Sequence, residues 1–186
     1  NGAYLPNPES AVHTFCHALP NAWHQMGVIL SATDSLNWLS EITGRGAGEL
    51  AGELGDTLKA PGSVTFLPYL SGERTPHNDA RIRGVFAGLE HESGRAALTQ
   101  AVVEGVAFAF RDSLEALKAA AEGDCGAACG AARLGLIAAE RADPLTVLTA
   151  PETETTVDPD PMQAEPYAEA YRRYRALYPA VREATC

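Results

Sequence analysis

Apolar and polar positions alternate at short range over residues 11–18, where Val12, Phe15 and Cys16 interleave with His13, Thr14 and His17. Turn chemistry follows at Leu19, Pro20, Asn21 and Ala22, and alternation resumes over residues 23–30, so the pattern predicts a β-hairpin. The period then lengthens. Leu36, Leu39 and Ile42 recur at helical spacing until Gly44, with Ser31 and Thr33 each placed to supply an N-cap oxygen. Residues 45–62 mix glycines and acids around Leu50, Leu54 and Leu58, which reads as a loose helix between flexible joints. A compact apolar strand is expected over residues 64–70, followed by a polar loop at residues 71–79 in which Gly72 and Pro76 prevent regular structure.

The longest helix is expected over residues 96–121, with Leu98, Val102, Val106, Ala109, Leu114 and Leu117 on one face, widened by Val103 and Phe110. Trp38, Val102, Val106 and Phe110 are the expected core, and Gly105 is expected to let this helix approach the strand holding Phe66. A small-residue helix over residues 125–141, a proline-rich surface crossing over residues 143–166, and a basic aromatic helix over residues 167–177 complete the pattern. That last helix covers either its own domain or a homodimer partner; the sequence leaves both open.

The chain has 186 residues, enough for one ordinary domain, and its 46% hydrophobic content excludes a disordered tail. Fourteen Lys and Arg face twenty-four Asp and Glu, a net charge of −10 that argues against general nucleic-acid binding. No apolar run approaches the ~20 residues that span a bilayer, so no membrane partner is expected and a cytoplasmic location is the default. Asn1 stands where a Met would open a complete chain, which suggests a processed product or part of a longer protein.

Chemistry is less plain. Cys16, Cys125, Cys129 and Cys186 form no zinc spacing and read as reduced thiols; Cys125 and Cys129, four apart on one helical face, permit a metal or redox pair, but filling space is the preferred reading. His13 and His17 share a strand face with no third ligand nearby, so a structural role is preferred to a metal site. No nucleotide-binding glycine loop, nucleophile elbow or HExxH helix occurs. The 71–79 loop gathers Glu73, Arg74, His77 and Asp79, from which a hydrolytic or metal-assisted site can be drawn. A rigid strand exit held by charge pairing is the preferred reading.

The run from Phe66 through Pro68, Tyr69, Ser71, Gly72, Glu73, Arg74, Thr75, Pro76, His77 and Asn78, with residues 83–89 after it, resembles the carboxy-terminal domain of the FGGY carbohydrate kinases. Residues 84–89 and 98–105, including Glu104 before Gly105, resemble a second signature of that family. Residues 12–26 are closer to its xylulose kinase branch than to the glycerol or gluconate kinases.

The resemblance implies an α/β fold of the actin-like ATPase, ribonuclease-H-like type, a mixed sheet flanked by helices, here incomplete. It implies phosphoryl transfer from ATP, with Mg2+, to the terminal hydroxyl of D-xylulose, a small-molecule sugar. Thr33 and Asn37 match family positions near the nucleotide phosphates, where helix-end N–H groups attract anions. Capping by Thr33 and solvation of Asn37 explain those residues equally well.

By the same resemblance, residues 1–186 are the nucleotide-binding domain, the sugar-binding domain and catalytic aspartate lie outside the chain, and a segment is missing between Gly123 and Asp124. The isolated chain is then expected to be inactive. Alternatives are a kinase for another pentulose or polyol, and a noncatalytic actin-like module.

Overall fold

A computed structural model describes residues 4–18, 20–119 and 158–185. The chain divides into one unit of residues 1–121 with 160–186 and a second of residues 122–159, of which only Asp158 and Pro159 are described. The expected helix at 125–141, residues 143–157 of the expected crossing, the break at Gly123 and Asp124, and Cys125, Cys129 and Cys186 therefore lie outside the described residues, while residues 161–166, expected to continue that crossing, are helical.

Strands β1 (His13–Cys16) and β2 (Trp23–Met26) form the hairpin read from the alternation, antiparallel, with Phe15 opposite His24 and Cys16 opposite Trp23. Its outer face carries His13, Phe15, His24 and Met26, and the Phe15 ring stacks on both imidazoles, 5.8 Å from His13 and 5.4 Å from His24 between centroids. Helix α1 (Thr33–Thr43) ends at Gly44, whose φ of 65° closes the last turn at no side-chain cost. Its N-cap is Ala32, with no side-chain capping bond, so neither Ser31 nor Thr33 plays the expected part. The loose helix contracts to α2 (Ala47–Gly52).

Strand β3 (Thr65–Leu67) is shorter than its apolar run because Pro68 has no N–H to continue the ladder. It pairs antiparallel with β4 (Val85–Ala87), a strand the sequence reading did not separate. Helix α3 (Arg95–Lys118) follows, and helix α4 (Pro161–Thr185) closes the chain. Among the described residues the strands make two antiparallel pairs, and the larger mixed sheet is not formed there.

The two faces of β3 organise the interior, since successive strand residues point to opposite sides. Phe66 enters a cluster with Leu39, Leu50, Val64, Ala101 and Val102, while Leu67 enters another with Tyr69, Ile82, Phe108, Tyr171 and Tyr174. Helix α3 runs past both. At their junction a Cβ built on Gly105 would lie 2.3 Å from the Phe66 carbonyl oxygen, so the expected close approach is present.

Val102 is buried as expected, whereas Trp38 and Val106 are only half-buried. Phe110 is 58% exposed, and the ring that fills the core is Phe108. Of the face expected for α3, Leu98, Val102, Val106, Ala109 and Leu117 are buried or half-buried and Leu114, Val103 and Phe110 exposed, while the buried stripe also takes in Thr99, Glu104, Asp112 and Ser113.

Helix α4 exceeds its expected 167–177 span at both ends. Asp160 accepts from the Met162 N–H at 2.9 Å, which caps a helix whose first residue is Pro161. Tyr167, Tyr171, Tyr174 and Tyr178, at spacings of four, three and four, then line the face that meets β3 and α3. The terminal helix thus covers its own domain.

Candidate nucleotide-facing site

Thr33 and Asn37 stand four residues apart on the first turns of α1, so they share one helix face, and both are exposed. Asp34 is also exposed and lies in the same first turn. Its carboxylate offsets the attraction that a helix N-terminus offers a phosphate. The face therefore presents a hydroxyl and a carboxamide, groups that both donate and accept, beside one negative charge.

With no side-chain cap, the placement of this face depends on the residues leading into α1. Two elements of the 71–79 loop hold them. Thr75 Oγ1 accepts from the Val28 N–H at 2.9 Å, and the Thr75 N–H donates to the Val28 carbonyl at 3.0 Å. Glu73 Oε1 accepts from the Leu30 N–H at 3.2 Å and from the Arg74 N–H at 2.7 Å. Inside the helix the Ser35 hydroxyl donates to the Ser31 carbonyl.

The loop does not bring its charged groups together. Glu73 and Thr75 are buried toward the Gly27 to Ser31 segment, Arg74 is exposed, and His77 points toward α4. The Glu73 carboxylate has backbone N–H partners, and desolvation raises its pKa to about 7 against their opposing effect. Burial pushes His77 the other way, to about 4, because the charged imidazolium is the disfavoured form. The His77 ring stacks on Tyr178 at 3.6 Å, and its Nε2 is 3.0 Å from the Tyr69 hydroxyl. Tyr69 and Tyr174 join their hydroxyls at 2.9 Å, and Tyr178 donates to Asp79 Oδ2 at 3.2 Å. Glu73 and His77 thus serve different neighbours, which fits a structural loop better than a hydrolytic centre, but the buried Glu73 is held by backbone N–H groups and not by the expected charge pairing.

Glu104, singled out beside Gly105, is buried and accepts from the Gly62 N–H at 3.2 Å and from Gln100 Nε2 at 2.8 Å. Burial raises its pKa. The buried Asp112 accepts from the Tyr171 hydroxyl, with Arg175 3.6 Å away. That pairing went unread in the sequence, although the regular tyrosine spacing of α4 was visible there. Among the described residues no three His, Cys, Asp or Glu side chains gather at metal-binding distances, and no helix is long and apolar enough to cross a membrane.

Residues 2–148 match the FGGY family of carbohydrate kinases, C-terminal domain. The chain belongs to that family. It is 49% identical over 119 residues to the xylulose kinase of Escherichia coli K12, a stretch covering 62% of this chain and 24% of the relative. The xylulose kinase of Klebsiella pneumoniae is 47% identical over 119 residues, covering 63% of this chain and 25% of its own. The crystal structure of a xyloylose kinase from Brucella ovis matches with a TM-score of 0.89 and 56% identity, over 99% of this chain and 46% of that one. The FGGY chain thus spans about a quarter of these curated relatives and under half of that solved structure.

Proposed function

We propose that this chain is the nucleotide-facing, actin-like part of a kinase that transfers the γ-phosphoryl group of ATP to D-xylulose, giving D-xylulose 5-phosphate. The observation that carries the reading is the 49% identity to a curated xylulose kinase, against 38% over 96 residues for the glycerol kinase of Gloeobacter violaceus. Thr33 and Asn37 form the nucleotide contact. Asp34 beside them opposes a phosphate, so the face suits the uncharged ribose or base, a shift from the phosphate role that the family resemblance implies.

Phosphoryl transfer rests on positioning and on neutralising charge, which divides the labour between two parts of such an enzyme. The described residues supply hydrogen-bonding groups for a nucleotide and no three-ligand set for Mg2+. The family resemblance is what assigns the sugar pocket and the base to the remainder of the protein, and the 186-residue chain alone is expected not to phosphorylate xylulose.

The test is ATP-dependent phosphorylation by the complete kinase across D-xylulose, other pentuloses, glycerol and gluconate, with the isolated chain assayed beside it. A highest kcat/KM for D-xylulose and an inactive isolated chain are expected. Preference for another polyol overturns the substrate assignment, and turnover by the isolated chain overturns the division of labour.

A further inference from the structure

The nucleotide face of α1 is anchored from outside its own helix. The helix has no side-chain N-cap, and the five residues before it are tied to the 71–79 loop at Val28 and at Leu30. We propose that Glu73 is a positioning residue for the nucleotide: its carboxylate holds the Leu30 N–H and thereby sets where Thr33 and Asn37 stand. This rests on the reading of those two residues as nucleotide contacts.

Three observations support it. Glu73 is 1% exposed, so its geometry is fixed by packing and not by solvent. The loop carrying it is closed on itself by paired bonds between Glu73 and Asp79, N–H to carbonyl at 2.9 and 2.8 Å, which keeps the carboxylate from following the helix. Leu30 is three residues from Thr33, too short a span to absorb a displacement before the helix begins. An acid buried without a cation partner is costly to keep in a place where an apolar side chain would pack. The backbone N–H groups of Leu30 and Arg74 are what its oxygen meets in return.

Thr75 is the second half of the same clamp. It is 1% exposed, bonds Val28 through both its N–H and its hydroxyl, and its hydroxyl also reaches the Ala11 carbonyl at 3.1 Å. Loss of either residue frees the entry to α1 while leaving Thr33 and Asn37 chemically intact. If the competent placement then falls to about a tenth of the population, apparent nucleotide affinity falls about tenfold.

The experiment compares Glu73→Ala, Glu73→Gln, Thr75→Val and Asn37→Ala in the complete kinase. Readouts are KM for ATP, KM for the sugar, and hydrogen exchange at the Leu30 amide. Glu73→Ala is expected to raise KM for ATP about tenfold with the sugar KM within about twofold, and to speed Leu30 exchange. Glu73→Gln, whose amide oxygen still accepts, should restore both. Thr75→Val keeps side-chain shape and should reproduce the ATP effect, which preserves the test if Glu73→Ala does not fold. An unchanged KM for ATP in Glu73→Ala and Thr75→Val, beside a raised one in Asn37→Ala, overturns the positioning role alone. No effect in Asn37→Ala overturns the nucleotide assignment and the positioning role with it. Equal rises in both KM values assign Glu73 to general stability and also overturn the proposal.

Discussion

Gly105→Ala places a methyl group where the Phe66 carbonyl oxygen already lies, 2.3 Å from the new Cβ and 3.2 Å from the carbonyl carbon. Ordinary contact begins near 3.4 Å, so α3 and β3 must separate by about 1 Å along this direction. The atoms struck first are backbone and a Cβ is fixed by its own backbone, so no side-chain rotation relieves the clash. Overpacking of this kind costs ~1–3 kcal/mol, and the absence of a flexible partner argues for the upper end. Alanine regains ~1 kcal/mol of helix propensity, leaving a net loss of ~2 kcal/mol. Gly48→Ala in α2 supplies the control, because its Cβ would meet nothing within 4 Å and should stabilise by ~0.5 kcal/mol. Urea unfolding followed by far-ultraviolet circular dichroism measures both. Equal and small effects of the same sign would refute the reasoning, since the argument requires opposite signs from one chemical change.

Phe108→Ala should cost ~3–5 kcal/mol because Phe108 is 7% exposed within the tyrosine cluster, whereas Phe110→Ala, at 58% exposure, should stay within ~0.5 kcal/mol in the same assay. Tyr174→Phe removes a buried hydroxyl from Tyr69 and should cost ~1–3 kcal/mol, read as a lower urea midpoint at unchanged slope. Glu73 binds its proton more tightly folded than unfolded, so its contribution to stability falls as pH rises from about 4.5 through about 7. The full span is at most ~3–4 kcal/mol for a carboxyl raised from 4.5 to about 7. His77 slopes the other way, stability rising with pH between about 4 and 6.5, so the wild-type minus Glu73→Gln difference isolates the acid. A pH-independent difference would contradict the buried carboxylate.

Where the sequence carried period and punctuation together, the fold was legible. The hairpin turned at Pro20 and Asn21, α1 stopped at Gly44, and the small residue at Gly105 marked the contact with β3. Helix α3 was placed and most of its expected face is at least half-buried, but its edge was misjudged toward Val103, Phe110 and Leu114, because the buried face also carries Glu104, Asp112 and Ser113, which hydrophobic spacing counts as outward. Those groups are inside because Gly62, Tyr171 and Thr75 meet them, and such partners lie 42, 59 and 38 residues away in sequence. The same limit hid the clamp: Glu73 and Leu30 were each visible, but their hydrogen bond spans 43 residues. Thr33 and Asn37 are proposed as nucleotide contacts through family resemblance, while Asp34 beside them, exposed in the same first turn, went unweighed.

The central claim is that α1 of this FGGY chain presents a nucleotide-binding face to a sugar bound elsewhere in the kinase. Steady-state kinetics of Asn37→Ala in the complete enzyme, with ATP and D-xylulose varied in turn, address it most directly. The account predicts a raised KM for ATP, an unchanged KM for D-xylulose and unaltered folding. An ATP KM equal to that of the wild type, or a rise confined to the sugar, would contradict it.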